Sequence, residues 1–298
     1  MAKFRGVLFG VVPILVTPFD LTGEIDEESL RNEVDFAIDA GVHGLGIALG
    51  SEVFTFTEAD RDRVTAIVVE QTRDRVPIVV NTGSISTNLA VHYSRRAFEL
   101  GAAGLMCTPP GPGFPLDAVV GYFKAISDAV PLPIVIQDTA ATPVPAPAIR
   151  AIAEACDYAT YAKVESVPPA IQVYKAVSEA GDVVEVFGGA GGGQFLPELR
   201  RGSIGTMPFP SSARAFVGVW NRWQAGDEIG AQQVFDAEIA PLLSIQIGGL
   251  GAAHQVHKEA LRRQGVIRTA YVRPPVEPLD PMTRADLDAV CDRMGWSA

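Results

Sequence analysis

Basic charge, cysteine, histidine and long apolar runs are all scarce in this chain, and each scarcity removes a class of function. The 24 Lys and Arg are outnumbered by 35 Asp and Glu, for a formal charge of −11. Binding phosphates requires a basic face, so nucleic acid and anionic membrane are not expected partners. The three cysteines, Cys107, Cys156 and Cys291, are odd in number and far apart, which encodes neither a disulfide framework nor a CxxC metal site. A cytoplasmic protein with reduced thiols is the expectation. Of the four histidines, His254 and His257 stand at i, i+3 without the acidic partner of an H-E-x-x-H site, so no metal is expected. The apolar run at 7–16 contains Pro13 and ends at Thr17-Pro18-Phe19. It is too short to cross a bilayer and lacks the charged-apolar-small order of a signal peptide, so it reads as a buried first strand.

What the chain has in quantity is hydrophobic residues, at 48%, with 29 Gly and 22 Pro among its 298 residues. That suits a large core crossed by many short turns. Short β-branched runs alternate with amphipathic stretches at intervals of roughly 25 to 35 residues, the mark of repeated βα units. Eight strands are predicted, at 7–16, 43–49, 76–82, 103–108, 133–138, 158–163, 183–188 and 203–207. The helices predicted between and after them span 26–40, 57–72, 86–100, 116–129, 145–155, 168–180, 194–201 and 211–225. Thr57 with Asp60 has the spacing of an N-cap and its acidic partner, and Glu27 and Glu28 load a first turn with negative charge. Gly41, Gly101, Gly181 and Gly202 each follow a helix, where a left-handed residue would end it.

Eight such units predict an α/β fold, a (β/α)8 TIM barrel over 1–225. The rival, an open doubly wound sheet, usually needs fewer units and would carry a G-x-G-x-x-G after its first strand. From 226 to 298 the rhythm is helical only, with helices at 227–247, 251–264 and 283–294, joined by Gly248-Gly249 and by a proline-rich stretch at 273–281. This C-terminal three-helix extension has apolar residues, among them Phe235, Leu242, Leu243 and Ile245, that need covering by the barrel or a neighbouring subunit.

In a barrel, chemistry sits at the carboxyl ends of the strands. Residues 157–166 form a short strand, rich in small and aromatic residues, that delivers Lys163 to its end with Glu165 two residues on. A lysine walled by apolar neighbours is suited to Schiff-base chemistry with a 2-oxo acid, since desolvation favours the neutral amine. The alternative is a solvated lysine at a strand end. Lys163 is the only lysine among the strand ends, and this favours the chemical reading. The same mouth would gather Thr17, the turn Gly50-Ser51-Glu52, Thr82-Gly83-Ser84, Gln137-Asp138, Gly188-Gly189 and Met207. Gly50-Ser51-Glu52 could hold a carboxylate through backbone N–H groups and the Ser51 hydroxyl, or be a plain turn. The glycine run 188–193 lacks the Lys-Ser/Thr of a P-loop, so backbone contacts to a small acid are preferred to a phosphate cradle or a flexible turn. Gln137-Asp138 either binds substrate or makes a rim hydrogen bond. Met106-Cys107 reads as strand core rather than as a reactive thiol.

Together Gly6, Pro13, Thr17-Pro18-Phe19, Gly50-Ser51-Glu52, Thr82-Gly83-Ser84, the Lys163 strand and Gly188-Gly189 resemble the dihydrodipicolinate synthase / N-acetylneuraminate lyase superfamily over nearly the whole chain. The resemblance implies a cofactor-free class I lyase or aldolase, usually a tetramer built from dimers, in which Lys163 condenses with the 2-oxo group of a small substrate. The chain departs from the synthase pattern at Leu49-Gly50, Gln137, Thr142 and Gly111, where that pattern has two threonines, a tyrosine, an arginine and a second tyrosine. Ile136-Gln137-Asp138-Thr139-Ala140, Ala162-Lys163-Val164-Glu165, the tail motif Lys258-Glu259-Ala260-Leu261, Gly265-Val266-Ile267 and Arg273-Pro274 are instead similar to the branch containing L-2-keto-3-deoxyarabonate dehydratase. That likeness implies dehydration of a 2-keto-3-deoxy sugar acid, with Lys163, Asp138 and Glu165 as catalytic residues and Thr17, Gly50, Ser51, Glu52, Gln137, Gly188, Gly189 and Met207 around the substrate. A pyruvate-dependent aldolase or a synthase-like condensation is the alternative enzyme, and a 2-oxo acid-binding sensor barrel the alternative outside enzymes.

Overall fold

The computed structural model describes residues 7–246 and 251–296; Gly6 and the Gly248-Gly249 linker lie outside these residues. Strand and helix alternate as expected: β1 Gly10–Val11, α1 Glu27–Asp39, β2 Leu45–Ile47, α2 Glu58–Thr72, β3 Ile78–Asn81, α3 Thr87–Glu99, β4 Gly104–Cys107, α4 Leu116–Ala129, β5 Ile134–Asp138, α5 Ala146–Ala155, β6 Tyr161–Val164, α6 Pro169–Ala180, β7 Glu185–Gly188, α7 Phe195–Leu199, β8 Gly205–Thr206 and α8 Ala213–Gln224. The strands pair in parallel in the order β1-β8-β7-β6-β5-β4-β3-β2. The His43 N–H, on the approach to β2, donates to Val11 O at 2.8 Å and links the two ends of that order. The fold is a (β/α)8 TIM barrel with a C-terminal helical region.

The residues fall into two compact units. The first, 7–12, 43–48 and 76–208, holds all eight strands and α3 to α7; the second, 13–42, 49–75, 209–246 and 251–296, holds α1, α2, α8 and the tail. In the first unit the strands bury nearly every side chain, as a parallel sheet covered on both faces should. Leu105, Val135, Ile136, Tyr161, Ala162 and Phe187 are completely buried. The Tyr161 hydroxyl accepts from the Val7 and Leu8 N–H groups at 2.9 and 3.1 Å, so the β6 strand that carries Lys163 is anchored at its other end.

The helix signals behave as read at most positions. Asp26 caps α1 by accepting from Ser29 N–H, and Thr57 and Asp60 form a reciprocal capping box on α2. Gly41, Gly101 and Gly202 take positive φ, but Gly181 stays right-handed at φ −65° because the turn after α6 continues helically into β7. The first strand is shorter than its apolar run. Gly10 bends at φ 69°, Pro13 has no N–H to give, and the ladder closes after Val11. Gly205 is required by the close approach of β8 to β1, since a Cβ there would lie 1.9 Å from Gly10 O.

In the second unit the tail comprises α9 Glu228–Val234, α10 Ala240–Ile245, α11 Ala252–Arg263 and α12 Pro281–Arg293. The single helix predicted from 227 is divided by a π-helical turn at Phe235–Ile239. Pro241 lacks the N–H that would continue the α ladder, and the chain absorbs the loss by widening the preceding turn. Leu242, Val256, Ala260, Leu287, Val290 and Cys291 pack into a core of their own, which covers the tail's apolar face.

Candidate active site

In the first unit, β5, β6 and β7 lie side by side with Gln137 opposite Lys163 and Lys163 opposite Phe187. Side chains two residues apart on a strand share a face, which places Lys163 and Glu165 together. The Lys163 Nζ stands 3.1 Å from Glu165 Oε1, and Lys163 is 5% exposed. Glu165 is held from two further sides. The Gln137 amide donates to its Oε2 at 3.0 Å, and the Ala190 N–H to its Oε1 at 2.7 Å. Gly189 makes this possible, because a Cβ there would lie 2.5 Å from the Glu165 side chain. The Gln137 Oε1 is buried and has no hydrogen-bond partner among the described residues.

The neighbouring Asp138 is engaged differently. Its Oδ1 accepts from Val144 N–H at 2.7 Å, and its Oδ2 from the Ser166 N–H at 2.9 Å, the Ser166 hydroxyl at 2.5 Å and the Glu165 N–H at 3.2 Å. This carboxylate ties the end of β5 to the turn that carries Glu165. Of the two options weighed for it, the rim hydrogen bond matches this geometry, and its four donors leave little capacity for carrying a proton.

Behind β7 lies a carboxyl that strand-end reasoning passes over. Glu198 on α7 is completely buried, neither oxygen has a hydrogen-bond partner among the described residues, and a Cβ on Gly188 would sit 1.7 Å from its Oε2. Burial, reinforced by the charge of Glu165, pushes its carboxyl up to about 8. The sequence signal was Glu198 standing among Phe195, Leu196 and Leu199 on a helix of five residues, too short to offer it a solvent face. Met207 is buried just past β8, and burial pushes the Cys107 thiol up to about 12, as befits strand core.

The second unit holds the other predicted residues. The Thr17 hydroxyl donates to Ser51 O at 2.7 Å and the Ser51 hydroxyl to Leu15 O, so both hold the chain to itself. Gly50 lies against Phe209, whose ring carbon would be 3.0 Å from a Cβ. Glu52, expected as a substrate contact, takes a left-handed φ of 61° and is buried in an ion pair with Lys258. The Lys258 Nζ also donates to Tyr271 O at 2.8 Å and lies 4.6 Å from the centre of the Phe19 ring. A second acid, Glu33, completes the group: it accepts from Val16 N–H at 2.8 Å, and burial raises its carboxyl well above the usual range. Glu33 was legible in principle, because it falls on the α1 face shared by Leu30, Val34 and Ala37.

The profile of the Dihydrodipicolinate synthetase family matches residues 7–293. Over 96% of the chain and 94% of the relative, the sequence is 32% identical to an L-2-keto-3-deoxyarabonate dehydratase of Azospirillum brasilense. It is 27% identical to a 4-hydroxy-tetrahydrodipicolinate synthase of Trichlorobacter lovleyi, over 94% of the chain and 97% of that protein. Among solved structures, a prophage protein of the dihydrodipicolinic acid synthase family from E. coli K12, in complex with pyruvate, superposes with a TM-score of 0.89 at 21% identity, covering 98% of this chain and all of that one. A dihydrodipicolinate synthase from Thermotoga maritima gives 0.89 at 24% identity, over 97% and 99%. Both share the fold. No helix among the described residues is long and apolar enough to cross a membrane.

Proposed function

The chain belongs to the dihydrodipicolinate synthetase family, which makes it an enzyme of the aldolase and lyase type, and from that premise we propose that it dehydrates a 2-keto-3-deoxy sugar acid through an imine on Lys163. One observation carries the reading: the Lys163 amine, the half-buried Glu165 carboxylate and the buried Gln137 amide form a continuous chain that ends in an amide oxygen without a partner among the described residues.

Lys163 gives a proton to Glu165, and the freed amine adds to the C2 carbonyl; loss of water leaves an iminium. The iminium acidifies the C3 proton, which Glu165 removes once its first proton has left with that water. The resulting enamine expels the C4 hydroxyl, which takes the proton back from Glu165 and departs as water. The conjugated iminium rearranges and is hydrolysed, consuming one water, so the product is a 2-oxo acid lighter by one water than the substrate. Gln137 keeps Glu165 pointed at the amine, and its free Oε1 supplies an acceptor for a substrate hydroxyl. An acceptor buried without a partner discriminates strongly against ligands that lack the matching donor, which favours a hydroxylated acid over plain pyruvate. Asp138 fixes the turn and carries no proton. The protein works as a homotetramer of paired dimers in the cytoplasm.

The 32% identity to a 2-keto-3-deoxy sugar acid dehydratase over almost the full chain supports loss of water over cleavage of C3–C4. Product analysis on a panel of 2-keto-3-deoxy acids tests it. A semialdehyde product is expected; pyruvate, detected by coupling to lactate dehydrogenase, would make the enzyme an aldolase. Ligand-induced stabilisation without turnover across the panel would make it a sensor.

A further inference from the structure

Glu198 takes no part in the reaction above, yet it is built against the group that does. The paired glycines Gly188 and Gly189 are both needed for lack of room: a Cβ on the first would meet Glu198, and one on the second would meet Glu165. Successive residues of a strand project to opposite faces, so the two carboxyls flank the end of β7 from its two sides. Among the described residues neither oxygen of Glu198 has a hydrogen-bond donor, and the one charge that bears on it is that of Glu165. The hydroxyl of Thr206, the register partner of Gly188, is likewise buried without a partner among the described residues. Ser203, also at this strand end, is engaged already, accepting from Gly188 N–H at 3.1 Å and donating to Gly205 O. An ionised carboxylate in such a place would be uncompensated, whereas a neutral acid fits.

The elements around α7 carry Lys163 and Glu165 on β6 and its turn, Glu185 on β7, and Lys175 and Glu179 on α6, while β8 carries no charge. Of these, Glu165 is the one whose charge bears on Glu198. We infer that Glu198 is a positioning residue for Glu165: as a neutral acid it fills the space behind Gly188, seats the turn that offers Ala190 N–H to Glu165, and leaves Glu165 as the one carboxylate acting on Lys163. Ionising it places a second negative charge at this corner. That charge holds the proton on Lys163 and pushes the turn away from Glu165, so the rate falls. The inference rests on the Schiff-base reading for its effect on rate, but the coupling of the two carboxyls stands apart from it.

Two measurements on the full-length enzyme separate these. In the first, carbon NMR of labelled glutamate side chains follows Glu198 through pH 4 to 10, with Glu198→Gln to assign it. A midpoint near 8 that drops by half a unit or more in Glu165→Gln is expected; a midpoint in the ordinary carboxylate range, or one indifferent to Glu165→Gln, overturns the inference. In the second, the rate of borohydride-trapped adduct formation with pyruvate is followed from pH 6 to 10. The parent should lose about tenfold per unit above pH 8, and Glu198→Gln should move that limb upward by about one unit or more. Glu198→Ala, which also removes ionisation but empties the space, separates charge from packing: it should lose stability yet share the displaced limb. Parent and Glu198→Gln limbs that coincide would overturn the inference. An absence of adduct at every pH would instead refute the Schiff-base reading, and the titration alone would then decide the coupling.

Discussion

Replacing Lys258 with methionine tests whether the buried charges of the second unit act as one group. The ammonium is completely buried and Glu52 is 1% exposed, so the variant leaves a carboxylate without its ion-pair partner and without solvent. Glu33 cannot take over, because a carboxyl, neutral or ionised, supplies no positive charge. Breaking a buried pair from one side costs about 3–5 kcal/mol. Loss of the Lys258 contact with the Phe19 ring adds about 0.5–2 kcal/mol, and methionine's own packing in the same space returns a comparable amount. The expected destabilisation is therefore about 4 kcal/mol, a large fraction of the ~5–15 kcal/mol that keeps a protein folded. In Lys258→Met/Glu52→Gln no charge is stranded. This double variant should lie within about 1.5 kcal/mol of the parent, the residue being the lost hydrogen bond to Tyr271 O. Urea unfolding followed by circular dichroism, with all four corners of the cycle at pH 7, measures the coupling. A Lys258→Met protein within 1 kcal/mol of the parent, or a double variant no more stable than Lys258→Met, would refute the argument.

Glu165→Gln keeps the hydrogen-bonding shape but removes the base, and turnover should fall by about 10²–10⁴-fold in steady-state assays while the fold is retained. Asp138→Asn should behave in the opposite way. It loses an acceptor for several N–H and O–H donors, so stability should drop by about 1–3 kcal/mol in urea titrations, with turnover per folded molecule changed by less than about tenfold. The raised carboxyl of Glu198 also makes stability depend on pH with a definite sign. Between about pH 4.5 and 8 the native state holds a proton that the unfolded chain has released, so this group's contribution is complete below pH 4.5 and is lost as pH rises through about 8. The loss amounts to as much as about 5 kcal/mol over that window. Melting temperatures of the parent and Glu198→Gln should thus diverge as pH rises, with the glutamine form the more stable at pH 8.5.

The barrel was legible because its signals are local and repeated. Strand runs such as Ile134–Asp138 and Tyr161–Val164 lie between helices whose caps, Thr57 with Asp60 among them, are written in adjacent residues. Boundaries failed where backbone chemistry overrode composition, at Gly10 and Pro13 in the first strand and at Pro241 in the tail. The proximity of Lys163 and Glu165 was legible from strand period and position. The distinction between Gln137 and Asp138 was not, although they are adjacent. One faces Lys163 and the other faces the turn, and only the register of β5 against β6 decides which. Glu33, Glu198 and Lys258 depend on partners that are far away in sequence or on missing partners, and neither is recorded in spacing. Glu52 was read as a ligand because its turn resembles one, while the cation that claims it sits about two hundred residues later.

The central claim is that Lys163 forms the covalent intermediate. Borohydride reduction of the enzyme with pyruvate, and separately with a 2-keto-3-deoxy pentonic acid, followed by peptide mass spectrometry, tests it directly. The account predicts a reduced adduct on Lys163 with both compounds, absent in Lys163→Ala, which should also lose turnover. An unmodified Lys163, together with turnover that survives Lys163→Ala, would contradict it.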